Sequence, residues 1–128
     1  MEEKLSSFTP QYATLESIFQ DHKLASLGDA YVNFVYSLAL SVERGEATGT
    51  KVSSRVLSQA LREARLRAFL PKRMDRHTLG DAAEALIVYA WLREMITIEE
   101  SVKTILSSNN VAEAFAKLLL FARERLNV

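Results

Sequence analysis

Apolar residues recur along the chain at three- and four-residue spacing and hardly alternate, a pattern that predicts helices rather than strands. Only four glycines and two prolines interrupt it. Thr9-Pro10 reads as a cap followed by the residue favoured in a first helical turn, opening a helix to about residue 20. A second helix is expected over roughly 23–42, ahead of Gly45, after which "GEATGTKVSS" is the most loop-like stretch. A third spans roughly 54–69 with Val56, Leu57, Ala60, Leu61 and Ala64 on one face, and Pro71 as its stop. The fourth covers roughly 75–95 and is apolar nearly all round from residue 85 to 92, which marks it as the central helix. Thr97 with Glu100 and Asn110 with Glu113 have capping-box spacing ahead of two last helices. The expected fold is all-α, about six helices in one domain over residues 1–128.

Composition narrows the class. With 48% hydrophobic residues the chain can bury a core without staples, and with no cysteine it has neither disulfides nor thiolate chemistry. The start "MEEKLSSF" is acidic where a secretory signal would be basic, and "YVNFVYSLALSV" is too short to span a bilayer and contains Asn33. A cytoplasmic protein without a membrane partner is expected. The formal net charge is zero, yet residues 51–77 hold eight of the sixteen basic residues against Glu63 and Asp75 alone. That segment suits either a solvated helix face or contact with phosphates.

The tetrapeptide Leu-Gly-Asp-Ala occurs twice, at 27–30 and 79–82, each time in a greasy, helix-prone stretch. An aspartate there is costly unless it is capped, paired or bound to metal. Asp81-x-x-Glu84 has capping-box spacing, whereas Val32 follows Asp29 at the corresponding position. Asp29, Asn33 and Ser37 repeat every fourth residue as a polar ladder that needs partners. If the helices bearing Asp29 and Asp81/Glu84 cross at these residues, three carboxylates converge, which without a cation cannot all stay ionised. Oxygen-only donors suit Mg²⁺, with Mn²⁺ as a substitute, and such a site supports phosphoryl transfer.

"LASLGDA" resembles the signature helix of ribonuclease III nuclease domains, and "LGDAAEALIVYAWL" resembles the family's second motif, Asp-x-x-Glu-Ala-Leu-Ile-Gly. The resemblance covers roughly residues 20–126 and leaves no double-stranded-RNA-binding domain. In that respect and in "TKVSSRVLSQAL" the chain is similar to the Mini-ribonuclease III branch and to short archaeal members. It implies that Asp29, Asp81 and Glu84 are catalytic and hold magnesium. It further implies a homodimer with double-stranded RNA in a shared valley, each site cutting one strand to leave 5′-phosphate and 3′-hydroxyl ends. Phosphate contacts are then expected from Lys51, Arg55, Lys72, Arg73 and Arg76, with Ser53, Ser54 and Gln59 as neutral donors.

The chain departs from the larger enzymes at Ala25, where they carry a metal-binding glutamate, and His22 stands at another position that is usually glutamate. A further family glutamate follows the signature helix, where Glu43 and Glu46 are the available residues. His77 is read as structural, and Phe34, Tyr36, Tyr89 and Trp91 as core or dimer packing. Two rival functions remain: a degenerate member that binds structured RNA without cutting it, and a dimeric helical scaffold whose aspartates are caps. In the scaffold Asp29 and Asp81 begin their helices. In the nuclease Asp81 lies at least one turn inside a helix begun near Asp75.

Overall fold

The computed structural model describes residues 5–128, so the acidic start at Glu2 and Glu3 lies outside the described residues. Among the described residues there are six α-helices and no strand. The helices are α1 Leu15–Phe19, α2 His22–Arg44, α3 Ser54–Glu63, α4 Arg76–Leu92, α5 Ile98–Leu106 and α6 Val111–Leu126. Short 3-10 turns occur at Leu5–Phe8 and Arg67–Phe69. No helix is long and apolar enough to cross a membrane among the described residues.

Every α-helix starts on a side-chain cap. Thr14, Asp21, Ser53, Asp75, Thr97 and Asn110 each accept from the backbone N–H three residues on, meeting a donor that the first turn would leave unpaired. Thr97 and Glu100 complete the reciprocal box expected of them.

Three boundaries differ from the expectation. The first helix begins after Thr14 because Pro10 and Tyr12 are tied to the central helix instead: the Tyr89 hydroxyl donates to the Pro10 carbonyl (3.3 Å) and accepts from the Tyr12 N–H (2.8 Å). Helix α3 ends at Glu63, well before Pro71, because Arg65 turns left-handed (φ 61°). Its neighbour Leu66 then folds back to donate to Leu61 O (3.0 Å) and is buried. The same device closes α4 at Leu92: Glu94 has φ 63°, Met95 N–H reaches Ala90 O (2.8 Å), and Ile96 turns into the core.

Helix α4 is central, as its all-round apolar stretch predicts, and packs against α1, α2, α3 and α6. It runs in the same sense as α2, which the intervening α3 makes possible, and Tyr31 of α2 stacks on Trp91 of α4 (ring centroids 5.2 Å apart). The glycines of the repeated tetrapeptide serve two different contacts. A Cβ on Gly28 would fall onto the Glu84 carbonyl, so α2 and α4 touch backbone to backbone. At Gly80 the nearest atoms to a Cβ would be Cα and Cβ of Ser54 on α3, at an ordinary 3.5 Å.

The two glycines should therefore respond oppositely to alanine. Gly28→Ala is expected to destabilise by about 1–3 kcal/mol through forced helix separation. Gly80→Ala, with room for its methyl and a gain in helix propensity, is expected to be neutral or stabilising by up to about 1 kcal/mol. Urea denaturation of both variants checks the contrast.

Candidate functional site

Asp29 lies two turns inside α2 and Asp81 more than one turn inside α4; the caps of those helices are Asp21 and Asp75. Neither tetrapeptide aspartate starts a helix, which removes the capping explanation for both. Because Gly28 seats α2 on the Glu84 backbone, the next side chain along, Asp29, meets the Glu84 carboxyl in a hydrogen bond.

Glu84 is 5% exposed, the one buried carboxyl among the described residues. Burial pushes it up to about 8, reinforced by the hydrogen bond to Asp29 and by the charges of Asp29 and Asp81. Burial and acidic neighbours together thus favour the protonated form of Glu84. Asp81, one turn earlier on α4 and exposed, is also raised, first by partial burial and further by Asp29 and Asp75; His22 and His77 pull it down. Asp29 and Glu84 are thus a contacting pair with Asp81 beside it. Among the described residues no three acidic or histidine side chains are gathered tightly enough to cage a cation by themselves. The donor chemistry nevertheless fits a hard divalent ion: all the donors are carboxylate oxygens, and one carboxyl is held neutral only by burial and its neighbours' negative charge.

The expected phosphate-contacting residues lie outside the core. Lys51, Arg55, Gln59, Lys72, Arg73 and Arg76 are exposed, and none of these cations is paired with a carboxylate among the described residues, where the ion pair is Arg125–Glu100 (2.7 Å). Of the two serines, Ser53 caps α3 by accepting from Val56 N–H (3.2 Å), and Ser54 faces Gly80 through its Cα and Cβ. Arg67, in the same basic run, donates to the carbonyls of Leu70 (3.3 Å), Pro71 (2.8 Å) and Lys72 (2.6 Å) and so fixes the loop that carries Lys72 and Arg73. Periodicity carries no signal for that role.

The polar ladder on α2 does find partners: Asn33 and Ser37 in the segment 48–52 and Asp29 on α4, with Asn33 Nδ2 also joined to Asp29 Oδ1 (3.2 Å). Ala25 is buried in the core. Glu43 stands fourteen residues beyond Asp29 on α2, about 21 Å along the axis, so it does not reach the carboxylate pair. Glu46 follows the helix end at Gly45. His22, at the first position of α2, was given no role by the sequence, and it is the crossing of α2 on α4 that brings it into the field of Asp81. Tyr89 is buried, and Tyr36 packs on Phe115 (6.2 Å between ring centroids). Phe34 is 53% exposed and lies outside the core.

The family model described as Ribonuclease III matches residues 22–128, a span that includes Asp29, Asp81, Glu84 and the basic residues from Lys51 to Arg76. No curated protein matches the chain.

The raised Glu84 carboxyl has a defined effect on stability. The folded state holds this proton up to about pH 8, whereas an unfolded glutamic acid releases it near 4.5. The unfolded state therefore binds fewer protons between these values, and stability falls as pH rises through that window. In chelator-treated protein the melting temperature is expected to drop from pH 6 to pH 9, and Glu84→Gln to flatten the decline; differential scanning calorimetry across that range checks it.

Proposed function

The chain belongs to the ribonuclease III family, and from that premise we propose that it is a magnesium-dependent endoribonuclease that cuts double-stranded RNA as a homodimer. The observation that carries this reading is the buried Glu84 carboxyl in hydrogen-bond contact with Asp29 across the backbone contact of α2 and α4. A carboxyl driven to hold a proton by its neighbours is a ready cation ligand, because a positive charge relieves the burial and the repulsion together.

Asp29, Glu84 and Asp81 are the residues that would hold Mg²⁺, with Mn²⁺ as a substitute. When bound, the ion supplies a Lewis acid that activates water and offsets charge on the attacked phosphate. To serve as a ligand Glu84 would release its proton to solvent, and Asp29 would keep the orientation that its hydrogen bond from Asn33 gives it. Asp81 faces solvent with His22 and His77 nearby, so the open side of the site is the side from which a phosphodiester can approach. Exposed Lys51, Arg55, Lys72, Arg73 and Arg76 supply charge to the RNA backbone, and Gln59, Ser53 and Ser54 supply neutral hydrogen-bonding groups. Recognition in this way reads the shape, phosphates and 2′-hydroxyls of an A-form duplex, whose deep groove conceals its base edges.

The homodimer is supported by a flank of α2. Leu27 and Phe34 are 38% and 53% exposed at seven-residue spacing, an apolar pair roughly 100–120° around the helix from Gly28. A second reading, a member that grips structured RNA without cutting it, is favoured by Ala25, a buried methyl where the larger relatives carry a ligand.

A cleavage assay separates the two. With magnesium, duplex RNA should be cut while single-stranded RNA and duplex DNA are spared, and Asp81→Asn should lower the rate by more than about 100-fold with an unchanged circular dichroism spectrum. Binding without cleavage supports the second reading, and parental cleavage by folded Asp81→Asn overturns the assignment of Asp81. Sedimentation should give a dimer for the parent and a monomer for Phe34→Glu.

A further inference from the structure

After α2 the chain doubles back and runs antiparallel along it as an extended strap. Thr48 N–H donates to Ser41 Oγ (2.9 Å), Thr50 N–H to Ser37 Oγ (2.9 Å) and Val52 N–H to Asn33 Oδ1 (2.8 Å); Ser37 Oγ also donates to Thr50 O (2.9 Å). The register is a geometric match. Four helical residues rise about 6 Å and two extended residues advance about 6.6 Å, so every second strap N–H meets every fourth side chain of α2.

The end rung differs from the others. A backbone N–H can only donate, so Val52 fixes the Asn33 amide with Oδ1 towards the strap, and Nδ2 is turned to Asp29 Oδ1 at 3.2 Å. A neutral amide donor orients a carboxylate without neutralising it, whereas a lysine or arginine there would compete with a cation for the same charge. Asp29 is exposed, and Asn33 gives its Oδ1 a donor whose own orientation the strap fixes.

We propose that Asn33 is the positioning residue of the acidic site: locked by the strap through Val52, it sets the Asp29 carboxylate for a divalent cation. This rests on the reading of Asp29 as a cation ligand, and it assigns the strap a task beyond linking α2 to α3. Removing a group that orients a metal ligand weakens metal binding by about 10–100-fold. Loosening the strap elsewhere leaves the Asn33–Asp29 bond in place.

The test is a Mn²⁺ titration of the full chain without RNA, read as free ion by electron paramagnetic resonance, alongside thermal melting. The proteins are the parent, Asn33→Leu, which loses both halves of the bridge, and Ser37→Ala, which loses only a strap contact. Asn33→Ser, too short to span strap and carboxylate, replaces the leucine variant if that one fails to fold. Both the residue 33 and residue 37 variants should melt lower than the parent. Mn²⁺ affinity should fall about 10-fold on loss of Asn33 and by less than about two-fold in Ser37→Ala. Parental affinity without Asn33, or an equal loss in Ser37→Ala, overturns the role of Asn33 while leaving the cation site standing. A parent that binds no Mn²⁺ overturns the cation reading itself, and the role of Asn33 with it.

Discussion

Two helices can approach only as closely as the atoms between them permit, and where α2 meets α4 one of those atoms is missing. Gly28 has no Cβ, so its backbone rests on the backbone of Glu84. That contact sets the register of the whole α2–α4 pair. Downstream it lets Tyr31 stack on Trp91, upstream it brings His22 within the field of Asp81, and at the crossing it presses Asp29 against Glu84. A larger residue at 28 would part the helices and, with them, the two carboxyls.

The electrostatic consequence is a group that folding alone would not choose. Glu84 occupies a position on the central helix flanked by alanines and leucine, where an apolar side chain would pack without cost. Burying a carboxyl there favours its neutral form, in contact with Asp29. A carboxyl buried in the central helix against acidic neighbours is the feature on which the proposed cation site rests. Among the described residues, cations without a carboxylate partner lie on the loop before α4 and on the strap and first turn of α3, exposed groups of the charge that phosphates attract.

Much of this was legible in the sequence for a physical reason. Caps and helix period are local, so Asp75, Thr97 and Asn110 declared their helices, and the uninterrupted apolar run after Ala85 declared the centre. The repeated tetrapeptide together with Glu84 suggested that three carboxylates converge if the two helices cross; the fold brings Asp29 onto Glu84 and leaves Asp81 beside the pair. What stayed hidden depends on distant atoms. Thr9-Pro10 has the form of a helix start but does not open one, the hydroxyl of Tyr89 binding Pro10 O and Tyr12 N–H instead. Arg65 and Glu94 carry no mark of their left-handed turns, which exist to return Leu66 and Ile96 to the core. Asn33 and Ser37 showed that a ladder existed, but only the fold reveals that its partner is the loop that follows.

The central claim, that carboxylates from two helices meet to hold one kind of cation, is tested most directly by anomalous diffraction at the manganese edge from crystals grown with manganese chloride. The account predicts an anomalous peak in direct contact with oxygens of Asp29 and Glu84. A peak confined to other residues, or none at saturating manganese, would contradict it.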